Sequence, residues 1–398
     1  MAIHRPILLT FIILAAAWVL SAYLAKLPPG LLSATVYFPF LTALVALSLA
    51  LGFHRSRIAL LIILTTGFYW FVLEQYQQPW FMGAITITVL LVPVNVALFA
   101  FFRERGLLST QSFLLVIFWL VQLGIAYWIV QRHYGLIDIV AQTTLFQPIT
   151  WLNSQFGQLL GVWSITWLLV SLVVAIRSTS WLESGIFVVL LQVILFFHYP
   201  GSTNQNLMLF SFMPLSLMGA ILLDSYSMAY MDELTGLPSR RALRENLNKL
   251  SGRYTLAMLD VDNFKKFTDT YGHDIGDQVL RFVGSKMRKI GGGGKVYRYG
   301  GEEFTFLFPG KDIETVLPHL EKVREDIAHS GFALRNKDRP VIEPKGARGN
   351  SKKEKYVVVT ASIGVAENMD GDTADDVLKA ADDALYRAKE GGRNRVNQ

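Results

Sequence analysis

The chain has 398 residues, of which 52% are hydrophobic and only 17% are charged, and its formal net charge is +6. This composition excludes an ordinary soluble protein, because such proteins contain about 25% charged residues. The absence of cysteine excludes disulfides, thiolate nucleophiles and cysteine-based metal sites. The basic residues are divided between membrane loops and a soluble half of mixed charge, so we expect no nucleic-acid partner.

Apolar blocks fill most of residues 7–223, and each is long enough to form a membrane helix. They predict about eight transmembrane spans in a domain comprising residues 1–223, and the seventh span is short. A cleaved signal peptide is the alternative for residues 1–25, but no clear cleavage site is present and further spans follow. The predicted spans are 7–25, 33–52, 58–75, 80–102, 111–131, 158–176, 184–198 and 206–223.

Basic residues are distributed unequally between the loops on the two sides of the predicted bundle. If the chain begins in the cytoplasm, the outer loops contain only Lys26 and Arg132, whereas the inner loops are rich in arginine. This distribution satisfies the positive-inside rule and leaves the C-terminal half in the cytoplasm. The arginines of the inner loops are Arg5, Arg55, Arg57, Arg103, Arg105 and Arg177.

Three amide side chains lie within the predicted spans, at Asn95, Gln122 and Gln192. They indicate either interhelical hydrogen bonds or a ligand pocket, and the sequence leaves both alternatives open. A transporter is disfavoured, because no predicted span carries a buried acidic or basic residue of the kind that marks an ion path.

The composition changes abruptly after Leu223, where a short linker or stalk, residues 224–231, leads into a soluble domain comprising residues 232–398. The mixed order of strand and helix patterns predicts an α+β domain with an antiparallel or mixed sheet. The polar segment 335–355 is expected to be a mobile loop. The expected elements are a helix at 240–250, a strand at 255–260, a helix containing Ile275 to Ile290, a hairpin around Gly300 and Gly301, a helix at 312–330 that Pro318 kinks or delays, a strand within 355–366 and a helix at 374–390.

Acidic residues occur in pairs at two predicted strand ends. Asp260 and Asp262 follow the first strand, and Glu302 and Glu303 follow the hairpin turn. Neighbouring side chains on a strand point to opposite faces, so one member of each pair is able to enter a shared site. Such oxygen ligands suit Mg²⁺, which usually combines one or two carboxylates with substrate phosphates. The alternative is that Gly-Gly serves only the hairpin and that both glutamates are solvated.

Basic groups flank these carboxylates in the sequence. Lys265 follows the first strand at a helix start, and Lys389 and Arg393 lie four residues apart near a helix end. Taken singly, these residues are typical of a helix surface and of a helix C-terminus. Together with a carboxylate-metal centre they outline a site for phosphoryl transfer.

Five segments resemble, in order and near spacing, the GGDEF domains of diguanylate cyclases: DELTGLPSRR, LDVDNFKKFTDTYGHDIGDQVL, RYGGEEF, ASIGVA and ADDALYRAKEGGRNRV. The resemblance covers about residues 230–398, and five linked motifs make it specific. It implies a palm-like α+β domain, similar to nucleotidyl cyclases and polymerases. It also implies that two GTP molecules, each held by one domain of a homodimer, are joined into cyclic di-GMP with release of pyrophosphate.

The resemblance further implies roles for individual residues. Asp260, Glu303 and the carbonyl group of Val261 would bind Mg²⁺, two ions per active site, with Mn²⁺ as an alternative. Glu302 would assist at the metal or help to deprotonate the 3′-hydroxyl group. The substrate-binding residues that it implies are Phe264 and Lys265 for phosphate contacts, Gly300 and Gly301 for the backbone approach, Lys389 and Arg393 for the terminal phosphates, and Asp277 and position 268 for guanine.

Two positions depart from the pattern of the family. Thr268 stands where asparagine is usual, and a hydroxyl group offers a single donor proton on a shorter side chain. Recognition of guanine is therefore expected to be weaker or rearranged. Upstream of the hairpin, Gly291 to Gly294 replace the RxxD product-binding motif of many relatives, so we expect no feedback inhibition through that site.

These features predict a multi-pass protein of the bacterial inner membrane, with the GGDEF domain in the cytoplasm and an unknown membrane or periplasmic signal. A catalytically degenerate relay that binds nucleotide without making product is one alternative. A cyclase with relaxed purine selectivity, because of Thr268, is the other.

Overall fold

The computed structural model describes residues 4–24, 26–78, 80–102, 104–143, 156–178, 180–199, 201–334, 355–369 and 371–398. The chain divides into two compact units, Met1–Ser225 and Tyr226–Gln398. All but one residue of the expected mobile loop at 335–355 lie outside the described residues.

The first unit is helical throughout its regular elements. Seven helical stretches within the described residues are long and apolar enough to cross a membrane, and they match the second to eighth predicted spans. The first predicted span, 7–25, overlaps α1, a helix of 21 residues. The helices are α1 His4–Leu24, α2 Pro29–Ala34, α3 Phe38–Gly52, α4 Ser56–Gln75, α5 Phe81–Leu98, α6 Thr110–Arg132, α7 Tyr134–Gln142, α8 Gly157–Arg177, α9 Trp181–His198 and α10 Thr203–Tyr230.

The amide side chains of the spans are of two kinds. Asn95 in α5 donates to Gln122 in α6 over 2.7 Å, which is an interhelical hydrogen bond. Gln192 in α9 is fully buried, and its amide has no hydrogen-bond partner within the described residues.

A buried guanidinium group connects several helix ends of the first unit. Arg57, at the start of α4, donates to Glu104 over 3.0 Å and to Glu183 over 2.7 Å. It also donates to the backbone carbonyl groups of Phe99 and Phe102. One cation therefore ties α4 to the segment after α5 and to the first turn of α9.

Asp224 in α10 extends this ionic network. Its carboxylate accepts hydrogen bonds from Arg55 and from the Ser180 hydroxyl group, each over 2.7 Å, and from the amide of Trp181 over 3.1 Å. Trp181 is the first residue of α9, and a carboxylate is favourable at that end because of the helix dipole. The network thus joins α4, α9 and α10.

The predicted spans stop one residue short of three of these charged groups, namely Arg57, Glu183 and Asp224. For that reason no predicted span contained a buried charge, although all three side chains are buried in the folded unit. The internal pairing satisfies them structurally, as is required of ionisable groups near a membrane interior.

We expect Arg57→Met to destabilise the first unit by about 3 to 5 kcal/mol, because Glu104 and Glu183 would lose a buried partner. Thermal unfolding of the full-length protein in detergent, followed by tryptophan fluorescence, measures this, since all nine tryptophans precede residue 182. Arg177→Met is the matched control, because Arg177 is an exposed arginine at a helix end. An unchanged unfolding temperature in Arg57→Met would contradict the structural role of the network.

The second unit is built on a mixed five-stranded sheet with strand order β2-β3-β1-β6-β7. Only the pair formed by β6 and β7 is parallel. Strands β4 and β5 form a separate two-stranded sheet. The strands are β1 Tyr254–Val261, β2 Lys295–Gly300, β3 Glu303–Pro309, β4 Phe332–Leu334, β5 Lys355–Val357, β6 Ala361–Glu367 and β7 Val396–Asn397.

The single strand predicted within 355–366 is wrong, because it is two strands in different sheets. The chain leaves β5 at Val357, exposes Val358, and then offers the carbonyl group of Thr360 to the amide of Asp262. Three consecutive valines, residues 357–359, are compatible with one long strand or with two strands, so the sequence pattern does not show the break.

Five helices complete the second unit. Asp312 caps α14 by accepting from the amide of Thr315, so the helix begins at Ile313 and includes Pro318 within it. The capping box of Thr373 and Asp376 starts the last helix. The helices are α11 Arg240–Leu247, α12 Phe264–Tyr271, α13 His273–Met287, α14 Ile313–His329 and α15 Ala374–Glu390.

Candidate active site

Two of the predicted carboxylates are opposite one another at the end of the central strand pair. Asp260 in β1 is the direct antiparallel partner of Glu303 in β3. Directly opposed residues share one face of a sheet, with Cβ atoms about 4.5–5.5 Å apart. The structure therefore brings these two side chains together, as the sequence predicted for one member of each pair.

The turn between β2 and β3 allows this pairing. The register shifts between Arg298 and Gly300, and Gly301 has a φ of 48°, in the left-handed region that glycine adopts readily. A Cβ atom at either Gly300 or Gly301 would meet no neighbour, so open space lies beside the backbone of the turn.

The acidic groups disfavour one another's ionised forms. Burial raises the pKa of Asp260, and this effect outweighs the hydrogen bond that Lys389 donates to it over 2.9 Å. Burial, followed by the nearby charge of Asp260, also raises the pKa values of Glu302 and Glu303. A cation between these carboxylates would relieve their repulsion.

Helix α15 places Lys389 at the carboxylates. A Cβ atom at Gly364 in β6 would lie 2.0 Å from the backbone nitrogen of Leu385, so only glycine lets the helix lie this close to the sheet. The same helix carries Asp382, whose charge raises the pKa values of Asp260 and Glu303 further.

Asp262 makes different contacts from Asp260, although the two residues are close together at the end of β1. Its carboxylate accepts from the hydroxyl groups of Thr360 and Ser362, over 2.8 and 2.7 Å, and from the amide of Asn394 over 3.1 Å. It thereby holds the turn that contains Arg393, whose φ is 63°, against the end of β1. Arg393 is exposed and lies beyond the end of α15, not on the face of that helix.

The remaining predicted substrate residues lie on α12 and α13. Phe264 is the first residue of α12, and its ring packs against the core, while Lys265 is exposed. The hydroxyl group of Thr268 donates to the carbonyl group of Lys265 over 2.8 Å. Asp277, in the first turns of α13, is exposed.

Close packing joins these two helices. A Cβ atom at Gly276 would lie 2.6 Å from the methyl carbon of Thr268 and 3.2 Å from the ring of Phe264. The structure therefore holds Thr268 beside the residue that precedes Asp277.

Arg298 is a supporting residue that the motif contained but that the sequence predictions did not single out. It donates to both carboxylate oxygens of Asp232 over 2.9 Å and to the carbonyl group of Gly301 over 2.7 Å. Asp232 in turn accepts from the backbone amide of Thr235. The guanidinium group of Arg298 thus connects the hairpin turn to the carboxylate of Asp232 through charge-assisted hydrogen bonds.

The glycines in place of the product-binding motif pack against other side chains. A Cβ atom at Gly292 would lie 2.5 Å from the ring of His319, and one at Gly294 would lie 2.5 Å from the ring of Phe308. Phe308 is fully buried, so the turn has no room for larger side chains at position 294 without repacking.

A comparison with models of protein families identifies the family of the second unit. The model of the family "Diguanylate cyclase, GGDEF domain" matches residues 229–343 and 345–395. This part of the chain is a GGDEF domain. The match confirms the resemblance drawn from the five sequence motifs.

Known relatives share this domain. The diguanylate cyclase VdcA from Vibrio cholerae is 37% identical over 172 residues, which cover 42% of this chain and 46% of VdcA. The response regulator PleD from Caulobacter vibrioides is 37% identical over 184 residues, which cover 43% of this chain and 36% of PleD. The chain therefore spans less than half the length of these two relatives.

A solved structure also aligns with the GGDEF domain. It contains the coiled coil and GGDEF domain of DgcB from Caulobacter crescentus in complex with c-di-GMP. It is 34% identical, covers 44% of this chain and 88% of that chain, and has a TM-score of 0.38.

We expect Asp262→Ala to loosen the C-terminal turn of the GGDEF domain. The substitution would leave the donors of Thr360, Ser362 and Asn394 without their acceptor, at a cost of about 1 to 3 kcal/mol for each buried group. Amide hydrogen exchange of the full-length protein should become faster in residues 391–398. Asp269→Ala, at an exposed position of α12, is the matched control. Unchanged exchange in Asp262→Ala would show that the turn is held by other contacts.

Proposed function

We propose that this protein is a membrane-bound diguanylate cyclase, which condenses two GTP molecules into cyclic di-GMP and pyrophosphate. The observation that carries the proposal is the opposed pair Asp260 and Glu303 with Lys389 beside it, in a GGDEF domain. Two carboxylates with raised pKa values beside a cation are suited to a substrate that brings phosphates and a divalent metal ion.

The donor set fits Mg²⁺, or Mn²⁺ in its place. Within the described residues no group of three or more acidic or histidine side chains is arranged to hold a metal ion alone. Asp260, Glu303 and the Val261 carbonyl group instead offer a partial set, and Mg²⁺ commonly completes such a set with phosphate oxygens and water. When bound, the metal lowers the pKa of the 3′-hydroxyl group and neutralises phosphate charge; two ions per site suit an in-line displacement.

The chain's own residues orient the reacting groups. The 3′-oxygen of each GTP forms a bond to the α-phosphorus of the other. For each of the two bonds formed, one bond to pyrophosphate breaks and one hydroxyl proton leaves, so that two pyrophosphates are released per cyclic di-GMP. Burial raises the pKa of Glu302, and this residue would accept that proton or assist at the metal. Gly300 and Gly301 leave the backbone open to the reacting end of the substrate.

Basic and polar groups around the carboxylates would hold the nucleotide. The first amides of α12, at Phe264 and Lys265, are suited to phosphate oxygens, as helix starts are. Lys389 and Arg393 would bind the terminal phosphates. When the nucleotide binds, Lys389 would release Asp260 and donate to a phosphate oxygen instead. Thr268 and Asp277 would face guanine.

Each domain would hold one GTP, so catalysis requires a homodimer. The apolar helices of residues 1–223 would place the protein in the bacterial inner membrane, with residues 232–398 in the cytoplasm. Residues 224–231 would carry an unknown signal from the membrane unit, since α10 continues as a helix to Tyr230.

We expect Glu303→Gln to reduce formation of cyclic di-GMP at least about a hundredfold, because a metal ligand contributes several kcal/mol to the transition state. The measurement is mass spectrometry of products after the full-length protein is incubated with Mg²⁺ and GTP, ATP or both. Glu314→Gln, at an exposed position of α14, is the matched control and should retain activity. A wild-type dimer that is folded, binds GTP and makes no dinucleotide would overturn the proposal in favour of a nucleotide-binding relay.

One observation favours weakened purine selectivity as a second property of the enzyme. The Thr268 hydroxyl group donates its single proton to its own helix, so it is left only as an acceptor for a base. Guanine and adenine differ in the hydrogen-bond donors and acceptors that they present to a protein. A side chain that only accepts hydrogen bonds discriminates less between these two bases.

We therefore expect Thr268→Asn to lower the KM for GTP relative to ATP by about fivefold, the value of one recovered hydrogen bond. Steady-state kinetics with each nucleotide measures this ratio. Thr270→Asn is the matched control, because Thr270 lies in the same helix and makes the same kind of hydrogen bond, to Lys266. An unchanged ratio in Thr268→Asn would show that position 268 does not contribute to base recognition.

A further inference from the structure

A cleft of about 680 Å³ in the first unit is lined by Leu98, the last residue of α5, by the segment that follows it and by the first turns of α6. Its volume is within the range of ligand pockets, about 300–1,000 Å³. Most of the lining residues are apolar, Thr110 and Gln111 are polar, and Arg105 is the charged one. Among the apolar wall residues are Leu98, Phe101, Leu114 and Phe118.

The position of Arg105 distinguishes it from the other arginines nearby. Arg55 forms an ion pair with Asp224, and Arg57 forms ion pairs with Glu104 and Glu183. Arg105 is exposed, and within the described part of the chain it has no acidic partner. The lining of the cleft therefore includes a positive charge that has no acidic partner among the described residues.

The two helices beside Arg105 indicate its position along the membrane normal. Arg105 lies between the ends of the candidate spans Phe81–Leu98 and Thr110–Arg132, so it would lie at the membrane surface while the apolar wall extends into the hydrocarbon. Glu104, the preceding residue, bonds to Arg57, which places Arg105 at the end of the bundle where Asp224 lies. By the distribution of basic residues this is the cytoplasmic side, whose leaflet is rich in anionic lipid.

We propose that this cleft binds one anionic phospholipid, with the headgroup phosphate at Arg105 and an acyl chain along Leu98, Leu114 and Phe118. The charge of the site selects the ligand. A zwitterionic headgroup would bring its own ammonium group next to the guanidinium, whereas an anionic headgroup would not. The first turn of α6, with Gln111, adds the positive end of a helix dipole on the same side. This inference depends on insertion into a membrane and is independent of the proposed cyclase activity.

Native mass spectrometry of the full-length protein tests the proposal. The protein in detergent is offered equal amounts of palmitoyl-oleoyl phosphatidylglycerol and phosphatidylcholine, and the bound lipid is counted. We expect the wild type to retain phosphatidylglycerol preferentially. Arg105→Gln should weaken its retention about fivefold, the contribution of one basic residue at an anionic surface.

Two further variants separate the cleft from general charge effects. Arg177→Gln removes the same charge from the same end of the bundle but outside the cleft, and it should retain the lipid as the wild type does. Leu114→Trp should fill the cleft and weaken the retention of phosphatidylglycerol without any change of charge. Equal losses in Arg105→Gln and Arg177→Gln, or no loss in Arg105→Gln, would overturn the proposal. A loss of dimer in Leu114→Trp with unchanged lipid would also overturn it, because a second copy of the chain would then occupy the cleft.

Discussion

The antiparallel pairing of β1 with β3 places two carboxylates opposite each other, and the rest of the site is arranged around that pair. Like charges in direct opposition are unfavourable, and burial raises the pKa values of both groups further. Lys389 offsets part of this repulsion, and it can do so only because Gly364 lets α15 lie against the sheet. The carboxylates of Asp260 and Glu303 thus repel each other at the place where a metal-nucleotide complex is proposed to bind.

The stability of this arrangement depends on groups that take no part in the proposed chemistry. Asp262 ties the last turn of the chain to β1 and β6, while Arg298 ties the hairpin turn to Asp232. Both interactions use charged groups with several hydrogen bonds, which are stronger than neutral ones. Asp232 lies two residues after Tyr230, the last residue of α10, so its ion pair with Arg298 connects the chain just after that helix to the proposed catalytic turn.

The first unit also uses charged hydrogen bonds, at the ends of its helices. Arg55 pairs with Asp224, which also accepts from the start of α9, and Arg57 pairs with Glu183 in the first turn of α9. These ion pairs join several helices at one end. A single amide pair, Asn95 with Gln122, provides a polar link between α5 and α6 further along. Arg105 takes no part in these ion pairs within the described residues, and for that reason it is the residue to which we assign the lipid headgroup.

Local pattern was sufficient for the helical spans, for the amphipathic helix Ala374–Glu390 and for the motifs of the GGDEF domain, because helix periodicity and motif order are properties of neighbouring residues. It was insufficient wherever distant segments meet. Three features depend on partners about 20 to more than 120 residues away: the division of residues 355–366 between two sheets, the different contacts of Asp260 and Asp262, and the buried network around Arg57. Sequence alone therefore determined which chemical groups the protein carries, and tertiary structure decided which of them meet, since long-range pairing is set by packing and not by local preference.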